Sequence, residues 1–360
     1  MNARVETVRS LLEEYGLDAL LIKGKTLKRY LGTVTGSGCK VLITPDGGYL
    51  IMDGRYVNEA HELEHDLEFR VHDQGISYLG ELARLIEELG IRRMGAEASA
   101  VLVSEYAKLV DLGLEPVLLD TELARMRIIK DEAEVAAVQR AVDVADEVYA
   151  HVLERLYVGM TEYEISALVQ YYSIAAGAEA MSFDTIVATG ERSALPHGRP
   201  TARTVREGEP ILIDFGVQLD GYQSDMTRVC FLGEPSSELV NVYETVLAAH
   251  LAGIDAMRVG AVARDVDAAA RRVIADAGYG ACFTHGLGHG IGMGGDLPLL
   301  NTSGEIVLEN GMIMSCEPGV YLPGVGGVRI EDDVLLRDGV ACPLNHTPKQ
   351  LCVLEVRSHG

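Results

Sequence analysis

At 360 residues the chain is long for one ordinary domain and comfortable for two, and its 48% hydrophobic content excludes a disordered chain. A net charge of −23 opposes nucleic acid and anionic lipid as partners. No apolar run reaches the ~18 residues of a membrane span, and Met1-Asn2-Ala3-Arg4-Val5-Glu6 lacks the apolar core of a secretion signal, so no membrane partner and a cytoplasmic location are expected.

Residues 1–15 read as an amphipathic helix with Val5, Val8, Leu11 and Leu12 on one face, stopped by Gly16. Residues 17–22 read as a short buried strand, and Gly36-Ser37-Gly38 as a turn. The β-prone runs 40–44 and 49–52 flank Pro45-Asp46-Gly47-Gly48, a hairpin signal. A helix is expected around 56–64, a strand at 68–72, a helix at 78–89, a strand at 92–96 and a helix at 103–111. This alternation predicts an α/β N-terminal domain over 1–125.

Residues 121–129 are mildly basic and helical, and Lys130-Asp131-Glu132 opens a long Ala-rich helix, 132–156. A second domain is therefore expected over 126–360. Thr161, with Glu164 three positions on, caps a helix that runs to about 176. From 183 to 228 the pattern turns to strands and turns, 238–257 and 263–277 are helical, and strands with glycine turns follow from 283. This half reads as α+β. The six cysteines have no C-x-x-C pair and read as free thiols. Cys316 is a poor nucleophile, because the charge of Glu317 raises a thiol pKa.

Chemistry concentrates in a few segments of the second half. Asp214 lies within Ile211-Leu212-Ile213-Asp214-Phe215, and a carboxylate on such a core strand is costly unless neutralised. Asp225 follows on the returning strand of a hairpin turned at Leu219 or Asp220 with Gly221. Pairing would bring the two carboxylates close and call for a cation; either aspartate alone also fits a buried residue capping a turn. His289 sits among glycines, Glu317 follows the apolar run Met312-Ile313-Met314, and Glu331 ends a strand-like run from Gly327. Four carboxylates and one imidazole suit Mn²⁺, Co²⁺ or Zn²⁺, and bridging carboxylates allow two ions about 3.5–4 Å apart. Gly290, Gly292 and Gly295 also match G-x-G-x-x-G. No helix can start at Asp296-Leu297-Pro298 in the required way, so a dinucleotide site is rejected.

Together these segments resemble the Xaa-Pro aminopeptidase and prolidase group of pita-bread metallopeptidases. The resemblance rests on Ile213-Asp214-Phe215-Gly216, Ser224-Asp225-Met226-Thr227-Arg228, His285-Gly286-Leu287-Gly288-His289-Gly290, Glu317-Pro318-Gly319-Val320-Tyr321 and Arg329-Ile330-Glu331-Asp332. Upstream, Ser182-Phe183-Asp184-Thr185-Ile186-Val187 and Leu195-Pro196-His197-Gly198 look like the same group. Thr35-Gly36-Ser37-Gly38 with Asp53-Gly54-Arg55-Tyr56 is similar to a creatinase-like N-terminal domain. The likeness implies a pita-bread catalytic domain, a homodimer and a small peptide substrate. It implies that Asp214, Asp225, His289, Glu317 and Glu331 bind two divalent ions, Mn²⁺ foremost, with a metal-bridging water as nucleophile whose proton Glu317 takes. His197 and His285 would steady the substrate carbonyl, and Arg329 would hold the ligand carboxylates.

One segment departs from the family. Where the group commonly continues Gly-Leu-Glu-x-His-Glu-x-Pro after the metal His, this chain reads Gly292-Met293-Gly294-Gly295-Asp296-Leu297-Pro298. Asp296 falls where that His is expected or, with the segment one residue short, where the Glu is. It reads as a contact to a substrate amine or basic side chain, or as a structural turn residue. Besides Xaa-Pro hydrolysis the sequence leaves two alternatives: an amidohydrolase on a small non-peptide amide, and a silent binding module of the same fold.

Overall fold

The computed structural model describes residues 3–63, 65–73 and 77–357. Residues 1, 2 and 64, at the ends of two expected helices, lie outside the described residues. The chain forms two compact units, Met1–Met126 and Arg127–Gly360.

In the first unit, α1 (Ala3–Tyr15) buries Val5, Val8, Leu11 and Leu12, and Gly16, at φ +60°, ends it. Strand β1 (Ala19–Ile22) leads to α2 (Lys25–Tyr30), a helix the sequence reading missed. The expected hairpin forms between β2 (Lys40–Ile43) and β3 (Gly48–Asp53). Then come α3 (Val57–Glu62), β4 (Glu68–His72), α4 (Tyr78–Leu89), β5 (Arg93–Glu97), α5 (Val103–Asp111), β6 (Glu115–Leu119) and α6 (Thr121–Arg125). The six strands make one mixed sheet in the order β4-β3-β2-β1-β5-β6. β6 was also missed, because it carries Pro116; as an edge strand it tolerates a proline.

The second unit opens with α7 (Glu132–Leu153) and α8 (Glu162–Ala175). Capping boxes start both, Asp131 with Glu134 and Thr161 with Glu164. Strands β7 (Ala180–Met181), β8 (Ile186–Thr189), β9 (Pro210–Phe215), β10 (Val217–Leu219), β11 (Tyr222–Gln223) and β12 (Met226–Leu232) follow, then α9 (Ser237–Ala256) and α10 (Ala263–Asp276). The C-terminal part is β13 (Gly288–Gly290), β14 (Asp296–Leu300), β15 (Ile313–Cys316), β16 (Gly319–Leu322), β17 (Gly326–Arg329), β18 (Asp332–Arg337), β19 (Val340–Pro343) and β20 (Cys352–Leu354).

Strand alternation sorts this unit's core into two layers. Ile211, Ile213, Phe215, Cys230 and Leu232 pack with the apolar faces of α7 and α8. Leu212, Val229 and Phe231 point the other way, into a core shared with α9, α10 and the second sheet, β14-β13-β15-β18-β19. Asp214 has the parity of Leu212, and Thr227 that of Val229, so both belong to this second face. Among the described residues no helix is long and apolar enough to cross a membrane.

Candidate metal centre

The proposed ligands come mostly from strand ends. Asp214 is inside β9, opposite Thr227 on β12. Asp225 was expected on the returning strand but lies one residue before it. The intervening β10–β11 hairpin turns at Asp220 and Gly221, both at positive φ, and carries the chain away from the β9–β12 ladder and back. Glu331 was expected at the end of a strand and sits in the break between β17 and β18; Glu317 occupies the break between β15 and β16. His289 is in β13, where the ladder to β14 slips between His289 and Gly290. Gly288 beside it cannot carry a side chain, since a Cβ there would lie 2.1 Å from the Ser315 carbonyl oxygen.

One donor atom each from Asp225, His289 and Glu331 lies within 4.8 Å of the others. His289 Nε2 is 3.5 Å from Asp225 Oδ2 and 3.6 Å from Glu317 Oε1. Asp214 Oδ2 is held by Arg329 Nη2, and Arg329 Nε donates to Thr227 Oγ1 at 3.0 Å. All five proposed ligands line one cavity of about 550 Å³, together with His197, His285 and Arg329. The exposed His197 is on its rim. His285 Nδ1 lies 2.8 Å from the Gly286 carbonyl oxygen and Nε2 2.8 Å from Tyr321 Oη.

Burial raises the carboxyl of Asp214 to about 6, against the pull of Arg329 and with a push from Asp225. The same burial raises Glu317 to about 7 despite His289, and drives Glu331 well above its ordinary range with Asp225, Glu317 and Asp214 as neighbours. Burial alone would lower His289, but hydrogen bonding and attraction to Asp225 hold it up at about 10. His285 goes the other way: burial and Arg329 lower it to about 4, so it is neutral near neutral pH. Several mutually repelling carboxylates forced towards protonation are what a divalent cation would relieve. The donor set of oxygens plus one imidazole fits such a cation.

Asp296 does not line the cavity. It opens β14 with 1% of its side chain exposed, 3.0 Å from Arg127 Nη1 and 3.7 Å from Lys130 Nζ. Its surroundings therefore support the structural reading and not the substrate contact. Arg127 also reaches the Gly294 carbonyl oxygen at 3.4 Å, so the buried cluster holds a stretch of cavity wall made of Gly292, Gly294 and Gly295. Residues with no assigned role in the sequence reading complete the site. Thr227 donates to Glu331 Oε2 at 2.5 Å, Ser315 Oγ to Glu317 Oε1 at 3.1 Å, and Tyr321 joins His285 to Arg329. Thr227 and Tyr321 stood inside the quoted motifs, which was the available signal for them.

Residues 136–338 match the model of metallopeptidase family M24, and residues 4–129 that of the creatinase/prolidase N-terminal domain. An Xaa-Pro dipeptidase of Pyrococcus horikoshii is 33% identical over 358 residues, 98% of this chain and 99% of that one. The solved Xaa-Pro dipeptidase from Bacillus anthracis is 35% identical with a TM-score of 0.94, covering 98% of this chain and 99% of that one. The X-Pro aminopeptidase from Thermotoga maritima is 34% identical with a TM-score of 0.88, covering 94% and 98%. With both family models matched and relatives similar along its whole length, the chain belongs to metallopeptidase family M24, carrying a creatinase/prolidase N-terminal domain ahead of the pita-bread catalytic domain.

Proposed function

We propose that the protein is an exopeptidase that hydrolyses the Xaa-Pro bond at the N-terminus of dipeptides or short peptides. Asp214, Asp225, His289, Glu317 and Glu331 would hold two divalent ions, with Mn²⁺ the first candidate. The observation that carries this reading is the meeting of Asp225, His289 and Glu331 within 4.8 Å in a cavity that Asp214 and Glu317 also line. The names of the relatives support the preference for proline. Domains at 1–125 and 126–360 and a cytoplasmic location belong to the same reading and rest on the sequence pattern, and a homodimer rests on the resemblance alone.

Bound ions would acidify a water as nucleophile and draw charge from the substrate carbonyl. The chain's own groups do the rest. Glu317 would accept a proton and pass it to the leaving amine. His197, on the rim, is free to approach the carbonyl oxygen, whereas neutral His285 must exchange its Tyr321 contact to do so. Arg329 fixes Asp214 and Tyr321.

The test is a panel of Ala-Pro, Ala-Ala, Ala-Pro-Ala and small non-peptide amides in Mn²⁺. Cleavage restricted to the two proline peptides is expected. Turnover of the non-peptide amides alone would sink the proline reading and select an amidohydrolase. One observation favours keeping that second reading in the panel: the wall at Gly292, Gly294 and Gly295 offers a substrate no side chain.

A further inference from the structure

Behind the metal centre lies a polar cluster that the proposed chemistry does not use. His250, on α9, is fully buried and faces the ends of β15 and β18. Its Nδ1 is 3.0 Å from the Cys316 carbonyl oxygen, and its Nε2 is 3.2 Å from Asp332 Oδ2. Both partners are acceptors, so both contacts are hydrogen bonds when each ring nitrogen carries its hydrogen. Asp332 also accepts from Arg228 Nη2 at 2.6 Å and pairs with Lys349 Nζ at 2.7 Å.

What this cluster touches gives it a role. Cys316 immediately precedes Glu317, and Asp332 immediately follows Glu331. Cys316 and Asp332 are also partners across the β15–β18 ladder. His250 thus ties two strand ends together where each releases a glutamate. The backbone groups around both glutamates are taken up. Glu317 N donates to the Leu287 carbonyl at 2.8 Å and Glu331 N to the Thr227 carbonyl at 3.1 Å. The Cys316 carbonyl faces His250, and the Glu331 carbonyl accepts from Arg228. Plain packing of α9 is already served by Val242, Val246 and Ala249. A buried imidazole there costs desolvation that its hydrogen bonds have to offset.

We propose that His250, seated against Asp332, is a positioning residue for Glu317 and Glu331 and sets how tightly their centre holds a divalent cation. It does not line the cavity, so it is not a catalytic residue. The inference rests on the reading of the two glutamates as ligands.

The test is Co²⁺ binding by the full chain, read by chelator competition and by the visible spectrum of the bound ion. Wild type is compared with His250→Gln, Lys349→Met and Val246→Ala. His250→Gln keeps most of the volume, but its carboxamide cannot reach the Cys316 carbonyl and Asp332 from opposite ends as the ring does. Lys349→Met removes one cation from Asp332 through a side chain 20% exposed, so it disturbs the interior less than His250→Gln. Val246→Ala opens a gap one turn earlier on the same helix without removing any hydrogen bond of the cluster, and controls for lost packing and stability. His250→Gln is expected to weaken Co²⁺ about 10- to 100-fold and to alter its spectrum, with Lys349→Met weaker in the same direction and Val246→Ala unchanged in affinity. Wild-type affinity and spectrum in folded His250→Gln, or in Lys349→Met where only that variant folds, overturn the proposal. A wild-type chain with no saturable Co²⁺ signal overturns the ligand reading itself.

Discussion

Glu317 is a half-buried acid and Asp296 a buried one in the same unit, and their surroundings give them opposite uses. Glu317 lines the cavity beside His289 and is pushed towards the neutral pH range. Glu317→Gln keeps the oxygen that Ser315 can address but cannot take a proton, so kcat is expected to fall about 10²- to 10⁴-fold while the metal-free protein melts no lower than wild type, because one of the repelling carboxylates is gone. A rate within threefold of wild type would remove the residue from its role. Asp296 neutralises Arg127 and Lys130 out of reach of substrate. Asp296→Asn leaves two buried cations short of a partner, and a loss of roughly 3 kcal/mol in urea unfolding is expected. A loss below about 1 kcal/mol would show the cluster is not what holds the glycine wall. The sequence marked position 296 as unusual but not which way its side chain turns. That depends on Arg127 and Lys130, far off in the chain, and local pattern carries no such information.

At the scale of elements, helix and strand identity followed from local chemistry. The α7 and α8 capping boxes and the Asp220-Gly221 turn are each legible over a few residues. The misses have equally local causes. Helix α2 has six residues and an interior lysine that is buried, its amino group donating to the Gly36 and Cys39 carbonyls. The positions of Asp225 and Glu331 just off their strands were missed because period-two alternation reports the face of a residue, not where a ladder stops. One sheet contact is testable by pH. Asp18 accepts the backbone N–H of Arg93 at 2.8 Å and of Arg92 at 2.9 Å at the entry to β5, which lowers its carboxyl from the ordinary 3.8. Since the folded value is the lower one, its stabilisation is complete above 3.8 and is lost as pH falls through the folded value. Urea unfolding of wild type and Asp18→Asn should therefore differ most at pH 5 and converge towards pH 3. An equal gap at both would contradict this.

At the scale of the whole molecule, the proposed ligands span positions 214 to 331 and come from two sheets and the breaks between strands. Each is weak evidence where it stands in the sequence, since a buried aspartate or a histidine among glycines has ordinary structural uses. Their common purpose was legible through the order of five motifs, and spatially through one cavity that gathers them. The free centre is a group of repelling carboxylates, so cation binding should stabilise the fold. At Mn²⁺ about 100-fold above its Kd the gain is roughly 2.7 kcal/mol, visible as a higher melting temperature that a chelator reverses; no shift with Mn²⁺ would contradict that. The most direct measurement is the metal content of the full chain after equilibration with Mn²⁺, taken alongside hydrolysis of Ala-Pro. About two ions per chain are expected, with activity that disappears on chelation and returns with Mn²⁺. A chain that retains no ion at saturating Mn²⁺, or that cleaves Ala-Pro equally well without metal, would contradict the account.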